Sequence, residues 1–296
     1  IPAVQLLCGL HAVDPAAPRW QFLSRAEALT LRGGRQDRVV LTEVLEEWLA
    51  AHNRIEAKGQ VHAFQTVHLL EAIRRLTELP LDGLVRTNEQ IYHLLTLGTA
   101  VDVAIDGDSK GRQIHFIDWQ HPENNVYHVS LEFAVERSRS HETCRPDLVL
   151  FVNGIPLVVI ECKRRDQDHQ TGDKAIDKAI RQMVTYQQDD HIPGLFTFVQ
   201  LALATSVNDL RYGTAGTPAK FWSVWKEEDL SDAVVELAAN TPLSSPDLDA
   251  LFTAPDSRQV AAYSQARAEW EQRIAAGPRL ATAQDRGLYA LLRPQR

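Results

Sequence analysis

Cysteine is scarce in this 296-residue chain, with only Cys8, Cys144 and Cys162 present. No two stand in C-x-x-C spacing, and His141 with Cys144 makes only an isolated H-x-x-C. A disulfide framework and a tetrahedral zinc site are therefore not expected, and the usage suits a reducing, cytoplasmic compartment. Long hydrophobic runs are missing as well. Nothing approaches the about 18 consecutive apolar residues that a membrane-spanning helix needs. The amino end has no basic segment leading into an apolar core, so no signal peptide is expected. It begins with Ile1 rather than Met, which points to a fragment of a longer protein. Positive charge is in deficit, since 31 Lys and Arg face 39 Asp and Glu and leave a formal net charge of −8. No global basic field can hold nucleic acid, so any such contact needs a local patch, a metal or a partner subunit. Several motifs are absent too. Without G-x-x-x-x-G-K-[ST] there is no P-loop ATPase in these residues. Without H-E-x-x-H, G-x-S-x-G or a strand followed by G-x-G-x-x-G, zinc proteolysis, acyl transfer and dinucleotide binding lose their usual carriers.

The most informative stretch runs from Arg145 to Lys163, RPDLVLFVNGIPLVVIECK. Two runs of strand-forming residues flank Asn153-Gly154, which reads as a buried β-hairpin. Glu161 and Lys163 are two apart and project from one face of a strand, while Cys162 points the other way. Asp147 returns to the same end of the hairpin. Two carboxylates and one ammonium thus gather at the lip of an apolar sheet. Paired carboxylates can hold Mg²⁺ by oxygen ligands, and a nearby lysine can hold or deprotonate a water and offset negative charge. One geometric condition applies. A regular two-residue loop would set Asp147 opposite Ile160, on the wrong face for Glu161. The spacing therefore predicts either a three-residue loop with Gly154 at positive φ or a β-bulge, for instance near Pro146.

Around the hairpin, residues 1–36 carry Pro2, Pro15, Pro18, Gly33 and Gly34 with little periodicity and read as an irregular lead-in. Helical spacing follows over 39–51, 63–78 and 88–97. Strand patterns are expected at 101–105, 113–119 and 127–135, the last alternating Tyr127, Val129, Leu131, Phe133 and Val135 with His128, Ser130 and Glu132. Asp166 to Gly172 reads as a polar loop. The next helix has an apolar stripe of Ile176, Ala179, Ile180 and Met183. Gln182 and Tyr186 lie at the border of that stripe, and Lys174, Lys178 and Arg181 lie further round, so the helix grades from core through a Gln/Tyr edge to a basic face. A long strand is expected at 195–205, a short one at 221–225, and helices over 230–239, 247–252 and 257–276.

These pieces resemble the PD-(D/E)xK nuclease superfamily and, more narrowly, the amino-terminal nuclease domain of the restriction (R) subunit of type I restriction-modification enzymes. The hairpin carries most of the likeness. Thr87-Asn88-Glu89-Gln90-Ile91-Tyr92, Glu123-Asn124-Asn125, Gln182-x-x-x-Tyr186, Ile192-Pro193-Gly194-Leu195-Phe196 and Arg211-Tyr212-Gly213-Thr214 agree with it in order. It covers residues 85–230 well. One departure is Cys162, at a position that is usually aliphatic. The resemblance implies an α/β, restriction-endonuclease-like core, a mixed sheet of about five strands with helices on both sides. Residues 1–100 would form an amino-terminal lead-in and helical region, 101–228 the nuclease core, and 229–296 a helical extension toward a missing ATP-driven motor. The implied activity is Mg²⁺-dependent endonucleolytic cleavage of double-stranded DNA, with ATP used only by the rest of the subunit. Asp147 and Glu161 would ligate the metal with the Cys162 carbonyl. Lys163 would orient or activate water, Gln182 and Tyr186 would position these groups, and Lys174, Lys178 and Arg181 would take phosphates. Methylation and specificity subunits would be its partners. Family nucleases often add an acid from an amino-terminal helix, for which Glu43, Glu46, Glu47, Glu71 and Glu89 are candidates. Two other readings of the same residues stay open, a stand-alone repair or recombination nuclease and a non-catalytic DNA-binding or docking module.

Overall fold

The computed structural model describes residues 1–15, 17–163, 174–227 and 230–293. The expected polar loop Asp166 to Gly172 lies outside the described residues. In chain order the elements are α1 (Pro2–Val13), β1 (Trp20–Leu23), α2 (Arg25–Thr30), α3 (Thr42–His52), β2 (Arg54–Ala57), β3 (Gln60–Ala63), α4 (Thr66–Thr77) and α5 (Leu84–Leu97). Next come β4 (Thr99–Ile105), β5 (Asp108–Ile114), β6 (Tyr127–Leu131), β7 (Val135–Glu136), β8 (Thr143–Cys144), β9 (Leu148–Val152) and β10 (Ile155–Cys162). The remainder are α6 (Ala175–Tyr186), α7 (Pro193–Phe196), β11 (Leu201–Ser206), β12 (Asp209–Gly213), α8 (Asp232–Asn240), α9 (Ser245–Leu251), α10 (Val260–Ala275) and α11 (Ala283–Leu292).

Six strands form one mixed sheet in the order β1-β6-β9-β10-β11-β12. The β1–β6 and β10–β11 pairs are parallel and the other neighbours antiparallel. Strand alternation divides the sheet's side chains between two cores. Val149, Phe151, Val159, Ala202 and Ala204 face one of them, which α6 covers with Ile176, Ala179, Ile180 and Met183. Leu148, Leu150, Val158, Ile160 and Leu203 face the other, beneath α1, α8 and α11. Helices on both faces of a mixed sheet agree with the restriction-endonuclease-like core implied by the resemblance.

Several expectations need correction. The sheet has six strands rather than about five, and the sixth, β1, comes from the lead-in. That lead-in is also regular at its start. Helix α1 buries Ala3, Val4, Leu6, Leu7, Gly9 and Leu10, so it is apolar around most of its circumference and shows little amphipathic period to read. The strand expected at 101–105 pairs in a separate hairpin, β4–β5, that does not join the main sheet, and β5 ends at Ile114, so most of the strand expected at 113–119 is irregular. The stretch 195–205 splits into α7 and β11. There the Asn88 side-chain amide donates to the carbonyls of Phe196, Thr197 and Val199 and ties down the chain end of α7. Residues 221–225 form no strand; a 3₁₀ turn, Ala219–Phe221, precedes a single bridge between Tyr212 and Ser223.

The β9–β10 hairpin positions everything else. Its loop has two residues, Asn153 at φ 52° and Gly154 at φ 82°, as a type I′ turn requires. Asn153 is fully buried. Its side chain accepts from the Val126 amide at 2.8 Å and donates to the Phe116 carbonyl at 3.0 Å. A Cβ on Gly154 would stand 2.5 Å from the Leu41 carbonyl oxygen. Gly154→Ala therefore combines backbone strain with a backbone clash and is expected to cost about 2–4 kcal/mol. Chemical denaturation of the variant checks this, with a lower midpoint at unchanged slope.

Candidate active site

The two-residue turn alone would put Asp147 and Glu161 on opposite faces. The ladder is not regular, however. Ile155 pairs Val152 and Pro156 pairs Phe151, but Val158, not Leu157, pairs Leu150, and Ile160 pairs Leu148. Leu157 is the extra residue of a β-bulge, and its carbonyl accepts instead from the Gln200 amide at 2.8 Å. The expected bulge exists, on β10 rather than near Pro146. It shifts the parity of the rest of β10 by one, so the next ladder step sets Asp147 beside Glu161. Both then lie on the face that carries Val149 and Val159, under α6.

The side chains meet as follows. Lys163 Nζ donates to Glu161 Oε1 at 2.6 Å, and the Cys162 amide donates to Asp147 Oδ2 at 2.7 Å. Tyr186 and Gln182 reach over from α6. The Gln182 amide donates to the Tyr186 hydroxyl, which donates in turn to the Arg145 carbonyl at 3.4 Å. Asp147, Glu161, Lys163, Gln182 and Tyr186 are thus brought to one place. The Cys162 side chain turns to the opposite face, where Gln284 Nε2 lies 3.9 Å from its Sγ. Burial, and then the Asp147 charge, push that thiol up to about 12, so it stays a neutral packing group. Lys178, half-buried, and Arg181, exposed, share another face of α6, and the exposed Lys174 is the extended residue just before the helix.

Electrostatically the site is under tension. Glu161 is fully buried, and its Oε2 has no hydrogen-bond partner among the described residues. Burial first, and the neighbouring Asp147 charge second, raise its carboxyl from 4.5 to about 7, against the pull of Lys163. Burial also raises Asp147, opposed by the Cys162 amide and Lys163, while the Glu132 charge adds to the rise. Burial and the Glu161 charge raise the Tyr186 hydroxyl, which therefore remains a protonated donor. A buried carboxylate oxygen without a partner, beside a second carboxylate, is a donor set that fits a hard divalent cation.

Among the described residues no group of three or more His, Cys, Asp or Glu side chains could hold a metal. None of Glu43, Glu46, Glu47, Glu71 and Glu89 therefore completes such a group with Asp147 and Glu161, and Glu71 is engaged by Arg74 and Arg75. The acid whose charge reaches Asp147 is Glu132. Its place in the expected strand 127–135 hid it, because an acid on the polar side of a strand looks like ordinary solvated surface.

Comparison with known proteins adds the following. The family described as Type I restriction enzyme R protein N terminus matches residues 19–221. The type I restriction enzyme HindI endonuclease subunit of Haemophilus influenzae is 28% identical over 173 residues, which cover 58% of this chain and 16% of that protein. A putative type I restriction enzyme MjaVIIIP endonuclease subunit of Methanocaldococcus jannaschii is 25% identical over 205 residues, covering 65% of this chain and 18% of that protein. The type I restriction enzyme SsaAORF53P endonuclease subunit of Staphylococcus saprophyticus is 30% identical over 99 residues, 33% of this chain and 10% of that protein. The aligned part is thus less than a fifth of each relative's length.

The tension at Glu161 has a measurable sign. Its folded-state pKa lies above its ordinary value, so the folded chain binds the proton more tightly than the unfolded one. Without metal, the contribution of Glu161 to stability then falls as pH rises from 4.5 to about 7 and is level above that. Glu161→Gln removes this cost, and in the presence of a chelator it is expected to raise the melting temperature at pH 8 by about 2–4 °C. Differential scanning calorimetry across pH checks both the direction and the flattened profile of the variant.

Proposed function

Because this chain belongs to the Type I restriction enzyme R protein N terminus family, we propose that it supplies the nuclease centre of a restriction subunit, hydrolysing phosphodiesters of double-stranded DNA with Mg²⁺. The observation that carries this reading is the meeting of Asp147, Glu161 and Lys163 on one buried face, with Glu161 Oε2 left without a partner among the described residues.

Asp147 and Glu161 would hold the divalent ion, together with the Cys162 carbonyl and water. When bound, the ion would polarise the scissile phosphate and acidify the attacking water. The protein's own groups do the rest. Lys163 Nζ donates to Glu161, and from there it can hold a water for attack and offset the negative charge that grows on the phosphate oxygens. The Cys162 amide donates to Asp147 Oδ2 and so fixes the rotamer of that carboxylate. Tyr186, held protonated and backed by Gln182, presents a neutral donor beside two acids and closes the apolar side of the site. Lys174, Lys178 and Arg181 offer α6 as a track for backbone phosphates, a local patch on a chain whose net charge is negative.

ATP-driven translocation would belong to the remaining length of the subunit. Methylation and specificity subunits would supply sequence recognition in the cytoplasm. Among the described residues no helix is long and apolar enough to cross a membrane.

The test is cleavage of plasmid DNA by the full-length subunit assembled with its partners and ATP. Asp147→Asn and Lys163→Ala are each expected to lower cutting by about a thousandfold or more, with ATP turnover near wild type. Wild-type cutting by both variants would remove these residues from the chemistry. Efficient cutting of branched DNA without partners or ATP would favour the stand-alone nuclease. No cutting and no divalent binding by the wild type would leave a docking module.

A further inference from the structure

We propose that Glu132 is a positioning residue for Asp147 and that helix α10 sets it through Tyr263; this rests on the reading of Asp147 as part of the metal site. Strand β6 stops at Leu131, which pairs Leu148, and Glu132 takes φ 47°. An L side chain stays in that left-handed region only when its surroundings hold it there. Three contacts do so. On one side the ladder pair ends, and on the other Phe133 is buried edge-to-face on Phe151 with ring centroids 5.2 Å apart. The third contact is the carboxylate itself, gripped by the Arg25 guanidinium and by the Tyr263 hydroxyl at 3.2 and 3.3 Å.

The Glu132 amide donates to the Asp147 carbonyl at 2.9 Å, the rung that follows the Leu131–Leu148 pair, and the turn at Glu132 ends the ladder on that rung. Asp147 is therefore pinned twice, through its main chain by Glu132 and through its side chain by Cys162. Loosening the first contact frees the residue to rock about the second.

Tyr263 is the far end of this chain of contacts. Helix α10 is exposed along most of its length. Only Tyr263, Ala266, Arg267 and Trp270 turn inward, a seam one side chain wide. Trp270 anchors it by burial, and Tyr263 supplies its polar link to the sheet. Arg25 braces that link, since it lies 5.2 Å over the Tyr263 ring and donates to the Thr253 carbonyl at 3.2 Å. A displacement of α10 would withdraw the hydroxyl from Glu132 and relax the turn that holds Asp147. The carboxyl-terminal helices are thereby wired to the acid at the head of the catalytic hairpin.

Tyr263→Phe is the discriminating variant, because it deletes one hydroxyl and leaves every charge around Asp147 in place. In the full-length protein, hydrogen exchange of the Glu132 amide is expected to speed up by about tenfold. Mn²⁺ binding, followed by calorimetry, should weaken about fivefold, and kcat for DNA cleavage should fall by about as much with KM unchanged. Glu132→Gln, which keeps an acceptor for Tyr263, should leave the amide protected. Wild-type exchange and Mn²⁺ affinity in Tyr263→Phe would overturn the proposal. Losses that vanish when both proteins are compared equally far below their melting temperatures would overturn it too, since Tyr263 would then serve stability alone. A wild type that binds no Mn²⁺ would refute the site itself, and this role with it, even if the amide responds.

Discussion

One extra residue in β10 sets the parity of everything beyond it. With Leu157 bulged out of the ladder, Glu161 and Lys163 fall on the α6 face. Without it they would lie on the α1 face, and Cys162 would stand where the acid now stands. The turn residues, the bulge and the sheet order all serve this placement. Asn153 and Gly154 fix a tight turn against Leu41 and Val126, so the register cannot relax at the loop. The shift must then be taken up within β10, where Gln200 satisfies the displaced carbonyl. A local backbone irregularity thus decides whether two carboxylates meet.

Bringing them together has an energetic consequence. Two acids in an apolar sheet repel each other and lose hydration, and a single lysine does not offset both. Among the described residues no further hydrogen bond resolves the conflict at Glu161 Oε2. A buried carboxylate beside a second acid gains from any group that supplies the positive charge its own neighbours lack.

The legibility of the sequence follows the physics of each element. Hairpin β9–β10 was readable because its residues are strand-forming on both faces and its turn pair is nearly diagnostic. Helix α6 was readable from a single stripe ending in Tyr186. Helix α1 was not, because burial on nearly all sides erases the period that betrays an amphipathic helix. Strand β1 was missed because four residues, Trp20 to Leu23, carry too little pattern; tertiary pairing with β6 makes it a strand. Asn88 sits in a stretch used to mark the family likeness, yet its work is to cap a turn more than a hundred residues away. Glu132 was hidden for a different reason. The alternation predicts a strand through it, and only three-dimensional contacts with Arg25 and Tyr263 explain why the backbone leaves the strand there.

The nuclease reading requires that Asp147 and Glu161 share one divalent ion. The most direct measurement is anomalous diffraction from crystals soaked in Mn²⁺. The account predicts a single strong peak within about 2.0–2.6 Å of a carboxylate oxygen from each residue. Ordered crystals that take up Mn²⁺ elsewhere, with these two carboxylates bare, would contradict it.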